Sequence, residues 1–346
     1  MANNLFQKIL IIRMSALGDI ILTTPLLRAV AEAFPEAEID FLTKKQFAEV
    51  LKYHLRLSRV HGFESEQGFF GLLKLIRKLR AEKYDLVVDL HINPRSILVR
   101  YFCGARLQRR YFKRSLERRL LKWFRLNLLK NSQPVAERYF TALEDFGIFP
   151  DGKGPEIYFS EKEREKARRI IGERADQPLV GLAPGASRYT KRWPADRFAQ
   201  LGEWLAQRLN ARIFILGGKQ DVGVSNQVRE MLAGRGIKST VDLTGELNIL
   251  ETSALINELD LLISNDTALM HIATAVDTPV LAIFGPTSRE LGFFPYSPKA
   301  QVIELNLKCR PCSLHGDKKC PKGHFECMLG ISPEMVFEKA QKMLSQ

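Results

Sequence analysis

The stretch LLISNDTALMHIATAVDTPVLAIFGPTS, residues 261 to 288, admits few folds. An apolar run, Leu261 to Ile263, meets the polar triplet Ser264-Asn265-Asp266, and the chain then takes up helical spacing. A second apolar run, Pro279 to Phe284, follows and closes on Gly285-Pro286. Strand, helix and strand in this order make a right-handed crossover between parallel strands, with the ligand crevice at the strand C-terminal ends. Asn265 or Asp266 is expected to cap the helix, aiming its free N–H groups and the positive end of its dipole outward, an arrangement that attracts phosphate. Thr267 and His271 lie one helical turn apart and share a face. The same residues also fit a simple cap and a satisfied interior histidine, so the company they keep decides between the two.

That company is a repeated alternation of strands and helices, which means parallel α/β sheets. Lys8 to Arg13 reads as a buried strand, Met14 to Asp19 as a small-residue turn, and Ile20 to Phe34 as a helix. Asp19 therefore stands at a strand-to-helix junction, where a Rossmann-like sheet places its ligand groups. Glu38 to Leu42 (strand), Phe69 to Arg80 (helix), Tyr84 to Leu90 (strand) and Pro134 to Phe146 (helix) continue the pattern. Phe149 to Pro155 interrupts it and is the best linker candidate. Beyond the linker come a charged helix, Ser160 to Glu173, and a strand, Leu179 to Ala183, ending in the turn Pro184-Gly185-Ala186-Ser187. Lys191 and Arg192 follow that turn and offer cations to a diphosphate, while Pro194 opens the next helix. Asp221, after the strand Arg212 to Leu216 and Gly217-Gly218, is placed to accept ribose hydroxyls. Val302 to Leu305 reads as the last strand and Pro333 to Leu344 as a terminal helix.

A chain of 346 residues is too long for one ordinary core. No apolar run approaches the roughly 18 residues that span a bilayer, and the N-terminus lacks a signal-peptide pattern, so a cytoplasmic location is expected. The net charge of +13 matters because of where it sits: residues 1–150 hold 26 Lys/Arg against 15 Asp/Glu, and Arg106 to Lys130 holds ten basic residues against Glu117 alone. Such focusing argues for an anionic partner of the N-terminal half. The segment GARLQRRYFKRSLERRLLKWFRLNLLK (104–130) interleaves arginines with aromatic and aliphatic residues, including Trp123 and Phe124. Three readings stand: the solvated face of a structural helix, contact with an anionic membrane surface or lipid-linked acceptor, and nucleic acid. Nothing in it resembles a nucleic-acid motif, so no nucleic-acid partner is expected.

Together LGDIILTTP (17–25), PGASRYTKRWP (184–194), DLTGELNILE (242–251), SNDTALMHIA (264–273) and FGPTS (284–288) resemble the ADP-heptose:lipopolysaccharide heptosyltransferases of glycosyltransferase family nine. The resemblance covers nearly the whole chain. It implies a GT-B architecture: an N-terminal Rossmann-like acceptor-binding domain (1–152), a C-terminal nucleotide-sugar-binding domain (153–330) facing it across a cleft, and a terminal helix (331–346) packing back on the first. It also implies inverting, metal-independent transfer of heptose from an ADP-heptose donor to a Kdo-containing lipid A core acceptor, at the cytoplasmic face of the inner membrane. By the same resemblance Asp19 is the general base and Lys191 the cation for the departing diphosphate. The donor-binding set is Ser187, Lys191, Arg192, Asp221, Asp266, Thr267, Ala268 and His271, with Ala268 standing where many relatives have glycine. The acceptor-binding set is Arg13, Ser15, Arg109, Arg110 and Arg114. A GT-B transferase using another nucleotide sugar, and an inactive nucleotide-sugar-binding relative, remain as alternatives.

No Asp-x-Asp sequence occurs, so a metal held by that motif has no evident ligands and no catalytic cofactor is expected. Four of the five cysteines fall in CRPCSLHGDKKCPKGHFEC. Cys309 and Cys312 have zinc-knuckle spacing, and Cys320 with Cys327 or His324 completes four ligands. A structural zinc, free thiols and disulfides are the readings this spacing leaves open, a reducing cytoplasm disfavouring the last.

Overall fold

The computed structural model describes residues 5–129 and 133–346, and the chain divides into two compact units. One holds the described residues through Arg114 together with Gln133–Tyr158; the other holds those from Ser115 to Leu129 together with Phe159–Gln346.

The first unit is built on five parallel strands: β1 (Lys8–Ile12), β2 (Glu38–Lys44), β3 (Arg59–Phe63), β4 (Leu86–Asp89) and β5 (Leu107–Arg110). Their spatial order, β3-β2-β1-β4-β5, reverses direction beside β1. Its helices begin with α1 (Leu17–Ile21), α2 (Thr24–Ala33), α3 (Gly68–Ala81) and α4 (Pro94–Phe102). β1 and β4 read as unbroken apolar runs because helices cover both faces of a parallel sheet. The edge strands β3 and β5 escape such a reading, since RVHGF and LQRR carry charge and glycine where only one neighbour pairs. The helix expected over Ile20 to Phe34 is two helices. Pro25 lacks an N–H and its ring would collide with the carbonyl four residues back. The Thr23 and Thr24 hydroxyls instead donate to the Ile20 and Ile21 carbonyls at 2.7 and 2.8 Å.

The chain then contributes α5 (Ser115–Phe124) to the second unit and returns to the first as α6 (Val135–Arg138). The helix expected over Pro134 to Phe146 is α-helical only in α6 and continues as 3₁₀ turns at Tyr139–Ala142 and Glu144–Phe146. The second unit adds α7 (Glu161–Ile171), β6 (Leu179–Ala183), α8 (Ala195–Leu209), β7 (Arg212–Ile215), α9 (Val222–Gly234), β8 (Val241–Asp242) and α10 (Ile249–Asn257). It ends with β9 (Leu261–Asn265), α11 (Ala268–Ala275), β10 (Val280–Ile283), β11 (Ala300–Ile303), α12 (Glu326–Leu329) and α13 (Pro333–Leu344). The sheet order is β11-β10-β9-β6-β7-β8, all parallel, reversing between β9 and β6.

Three domain expectations change. The first unit runs to Tyr158 rather than 152, because buried Arg28 of α2 clamps the linker: its Nε lies 2.7 Å from Asp151 and its Nη1 2.8 Å from Glu156. The basic segment from Ser115 onward belongs to the second unit, where Leu121 and Leu129 pack with Leu291 and Arg118 lies over the Phe293 ring; Lys130 lies outside the described residues. The terminal helix α13 is part of the second unit, where it packs on α8. Val336, Phe337, Ala340 and Met343 form its apolar face in the core shared with Leu201 and Leu205, and Phe337 meets Trp204 edge-on at 6.0 Å.

Burial pushes His54 down to about 4, with Arg56 and Arg28 adding to the effect against Glu156, and His91 falls to about 4 chiefly through burial as well. Between that value and the ordinary 6.5 the unfolded chain binds more protons than the folded one, so stability falls as pH drops through this window. Urea midpoints measured between about pH 7 and about pH 4 should decline with acidity, and His54→Gln should flatten the slope. An unchanged slope would show that His54 is not a source of the acid sensitivity.

Candidate active site

In each unit the candidate residues sit at strand C-terminal ends beside the reversal of strand order, where a parallel sheet leaves a crevice. In the first unit β1 delivers Arg13, whose Nη2 lies 2.7 Å from Asp19 Oδ1 and whose Nη1 donates to the Leu90 carbonyl. The Ala16 N–H donates to Asp19 Oδ2 at 3.1 Å, so both carboxylate oxygens are held, while the side chain stays 19% exposed. Burial would lower the Arg13 pKa, but Asp19, Tyr139 and Tyr111 together carry it above its ordinary value. Ser15 lies half-buried in the same turn.

On the other side of the reversal, Asp89 ends β4 and organises the next loop. Its Oδ1 accepts the His91 and Ile92 N–H groups at 2.9 Å and its Oδ2 accepts the Ser96 hydroxyl at 3.0 Å. Lys113 Nζ donates to the His91 carbonyl at 3.2 Å. Ile12 pairs with Asp89, and Leu90 N–H donates to the Ile12 carbonyl at 2.9 Å, which sets His91 next to the Asp19 turn. His91 Nδ1 is buried without a hydrogen-bond partner among the described residues. Sequence reasoning missed this histidine; the signal was its position just past the buried run LVVDL. Of the expected acceptor residues, Arg13 and Ser15 join Asp19. Arg109 is turned to the Phe146 ring at 5.3 Å and to Asp145 at 3.7 Å, Arg110 is exposed at the end of β5, and Arg114 is the last residue before the chain leaves the unit.

In the second unit the loops after β6 and β9 meet. Lys191 Nζ lies 2.7 Å from Asp266 Oδ2, an oxygen that also accepts the Thr287 hydroxyl at 2.9 Å. Asn265 is spent on the scaffold: its Oδ1 accepts the Trp193 N–H at 3.0 Å and its Nδ2 donates to the Pro184 carbonyl at 2.8 Å. Hence neither Asn265 nor Asp266 caps α11. Thr267 does, accepting the Leu269 N–H at 3.3 Å, with Ala268 as the first helical residue. His271 is buried one turn on. Arg192 Nε donates to the Ala186 carbonyl at 2.8 Å, and Ser187 is exposed on the same turn. Asp221 is buried against Gly185, where a Cβ would come within 2.2 Å of its carboxyl carbon. Its Oδ2 accepts the Gly218 N–H at 3.0 Å, Oδ1 has no partner among the described residues, and burial raises its pKa.

Lys191 keeps its place because the cysteine-rich loop lies on it. Thr190 exchanges hydrogen bonds with the Asp317 backbone, at 3.2 Å from its N–H and 2.8 Å to its hydroxyl, and Tyr189 stacks on Phe325 at 5.3 Å. Gly316, at φ +81°, lies so close to Arg188 and Lys191 that a Cβ would meet their side chains at 2.8 and 3.0 Å. Arg310 fastens the same loop to the Gly285–Thr287 turn, donating to the Gly285 carbonyl at 2.5 Å, the Thr287 carbonyl at 2.7 Å and Glu304 at 2.6 Å. Arg125, just beyond α5, donates to the Cys309 carbonyl at 2.8 Å and to the Pro311 carbonyl. Thr287 and Arg310 were missed as site residues, although FGPTS was read as a motif. Their carbonyl partners carry no sequence signal.

The zinc reading of Cys309, Cys312, Cys320 and Cys327 does not hold. All are free thiols, and among the described residues no group of three or more His, Cys, Asp or Glu is arranged to bind a metal. Burial first, then the neighbouring thiols, pushes Cys327 up to about 12, and burial raises Cys312 too.

Comparison with known proteins agrees with this geometry. The model of glycosyltransferase family 9 (heptosyltransferase) matches residues 72–322. The chain is 28% identical to lipooligosaccharide heptosyltransferase 2 of Haemophilus influenzae, covering 98% of this chain and all of that protein (100%). The structure of Escherichia coli ADP-heptose LPS heptosyltransferase II superposes with a TM-score of 0.79 at 26% identity, over 98% of this chain and 99% of that one. A glycosyl transferase of family 9 from Veillonella parvula superposes with a TM-score of 0.80 at 24% identity, over 98% and 97%. The two parallel-sheet units are thus those of the GT-B fold.

Arg310→Ala should leave several carbonyls around the Gly285–Thr287 turn unpaired and cost about 2–4 kcal/mol, read as a lowered urea midpoint. A change under about 0.5 kcal/mol would mean water replaces the guanidinium there.

Proposed function

The chain belongs to glycosyltransferase family 9, the heptosyltransferases, and from that premise we propose that it transfers heptose from ADP-L-glycero-D-manno-heptose to the inner core of lipopolysaccharide with inversion at the anomeric carbon. The observation that carries this reading is the division of chemistry between the units: a held carboxylate, Asp19, in one, and a cation beside a helix N-terminus, Lys191 with Thr267, in the other.

Inverting displacement needs a base for the acceptor hydroxyl and charge relief for the leaving diphosphate. Asp19 takes the hydroxyl proton as the new glycosidic bond forms; Arg13 and the Ala16 N–H fix its orientation. ADP departs carrying added negative charge. Lys191 meets it with the donors that Asp266 leaves free, Arg192 lies on the same turn, and the α11 N-terminus adds unpaired N–H groups. Thr287 holds Asp266 so that the lysine is presented rather than captured. Ser187, Asp221 and His271 belong to the donor side and Ser15 to the acceptor side. The proposed donor is ADP-heptose and the proposed acceptor a Kdo-containing lipid A core. The buried position of Asp221 beneath Gly185 favours holding the turn over reaching a ribose.

The acceptor is lipid-linked, and α5 supplies the membrane contact in this reading. Leu116, Arg119 and Trp123 share the helix face opposite buried Arg118 and Leu121, with Leu116 67% and Trp123 63% exposed. No helix among the described residues is long and apolar enough to cross a membrane, so the proposed association is peripheral, on the anionic cytoplasmic face.

Asp19→Asn should reduce turnover by about 10²- to 10⁴-fold while ADP-heptose affinity stays within about twofold. Near-normal turnover would remove Asp19 from the base role. Mass spectrometry of reactions pairing ADP-heptose and other nucleotide sugars with core acceptors, with and without a prior heptose, tests the substrate assignment; transfer from a different nucleotide sugar alone would reject it. The triple variant Arg119→Ser, Lys122→Ser, Trp123→Ser should bind vesicles containing phosphatidylglycerol at least roughly tenfold more weakly. Equal binding would leave α5 a structural helix only.

A further inference from the structure

Three adjacent strands of the first unit end in a row of basic groups. Arg13 N–H donates to the Leu42 carbonyl at 3.0 Å and Lys44 N–H to the Met14 carbonyl at 3.1 Å, so Lys44 stands across from the residue after Arg13. On the other flank of β1, the pairing of Ile12 with Asp89 sets His91 against the same turn. Neighbouring strands lie about 4.8 Å apart, so the three groups fall within reach of one small ligand. They lie at the C-terminal edge of the sheet, where strand order reverses.

Two of these groups carry a side-chain nitrogen with no protein partner among the described residues. Lys44 is half-buried, yet its ammonium has no ion pair or side-chain hydrogen bond among the described residues, whereas its neighbour Lys45 is paired with Glu64. His91 has its Nδ1 enclosed without a partner. A buried, unpaired atom such as His91 Nδ1 is rare, and a ligand is one of the few things that explains it. The charged groups acting on His91 are Arg13, Lys113, Lys44 and, opposing them, Asp19. Arg13 and Asp19 are engaged with each other, and Lys113 is bound to the backbone of the His91 loop, so the field left over is positive. A neutral sugar would not need such a field; a carboxylate or phosphate would.

We propose that Lys44 and His91 form an oxyanion-binding subsite that seats a carboxylate or phosphate of the acceptor beside Asp19 and so aligns the attacking hydroxyl with the base. Lys44 ion-pairs with the anion, and the neutral His91 ring donates a hydrogen bond to it. Burial and the surrounding cations keep His91 near about 4, so the ring contributes as a neutral donor at working pH, and the bound anion offsets the field that depresses it. Both are positioning and binding groups; the proton still goes to Asp19. The proposal deepens the heptosyltransferase reading and rests on it.

Lys44→Met keeps the aliphatic stem and removes the charge; His91→Phe keeps a ring and removes its hydrogen bonds. With a core acceptor carrying both its phosphates and its sugar-acid carboxylates, each variant should raise the acceptor KM by roughly tenfold or more and lower kcat several-fold, while the ADP-heptose KM stays within about twofold. Lys44→Arg should recover most of the loss. Repeating the assay with dephosphorylated acceptor, and separately with acceptor whose carboxylates are converted to amides, identifies the anion: the penalty of Lys44→Met disappears on the form lacking the group it binds. An unchanged KM in both variants, or an equal penalty on acceptor lacking both anions, overturns the subsite. Wild-type protein that transfers heptose to no acceptor overturns the parent reading instead, so the two failures are told apart.

Discussion

Both sheets are wholly parallel, and everything functional follows from that constraint. Parallel strands all end at one edge, so every loop that leaves a strand C-terminus is delivered to the same side. Where the order reverses, the loops on either side turn away from each other and leave room between them. In the first unit the reversal lies between β1 and β4, which present Asp19 and His91; in the second it lies between β6 and β9, which present Lys191 and Asp266. Neither set is close in sequence. The crossover connections, not local propensity, bring each pair together.

Much of this was legible in the residues. Apolar runs located β1, β4, β6, β9 and β10 within two residues or so, because strands buried on both faces have no freedom to be polar. The general place of Asp19, Lys191, Asp266 and Thr267 followed from the strand-turn-helix pattern, since a ligand group in such a fold has few other addresses. The edge strands β3 and β5 of the first sheet were not legible, because they carry charge and glycine on an open flank. The cap of α11 slipped by a residue or two because Asn265, a good cap in isolation, is drawn into bonds with Trp193 and Pro184, far off in the chain. His91 and Lys44 were missed for the same kind of reason: their meaning depends on lying either side of β1, which only strand order reveals.

The cysteine-rich loop shows how spacing can mislead. Cys309 and Cys312 match a metal-binding pattern, yet the loop's work is done by backbone and by arginine. Arg310 gathers the carbonyls of Gly285 and Thr287, Arg125 takes that of Cys309, and Thr190 closes on Asp317. Their combined effect is to set the height of the Lys191 turn over Asp266. Cys327 contributes as a small buried hydrophobe in the core beside Met328 and Ile331, with half-buried Cys320 packed against that core. The concentrated positive charge of the N-terminal half is likewise divided, with Arg28, Arg109 and Arg118 spent on the fold while much of α5 stays exposed.

The polypeptide passes from one unit to the other after Arg114, comes back by Gln133 and departs for good after Tyr158. That detour makes the halves non-modular. A recombinant fragment starting at residue 153 would lack Leu121, Leu129 and Arg125, leaving Leu291 and the Cys309–Pro311 carbonyls bare, while one stopping at residue 152 would carry an unpartnered amphipathic insertion and lose Glu156. Shuffling lobes among homologues therefore requires two grafts rather than one splice, with the excursion travelling alongside the second unit.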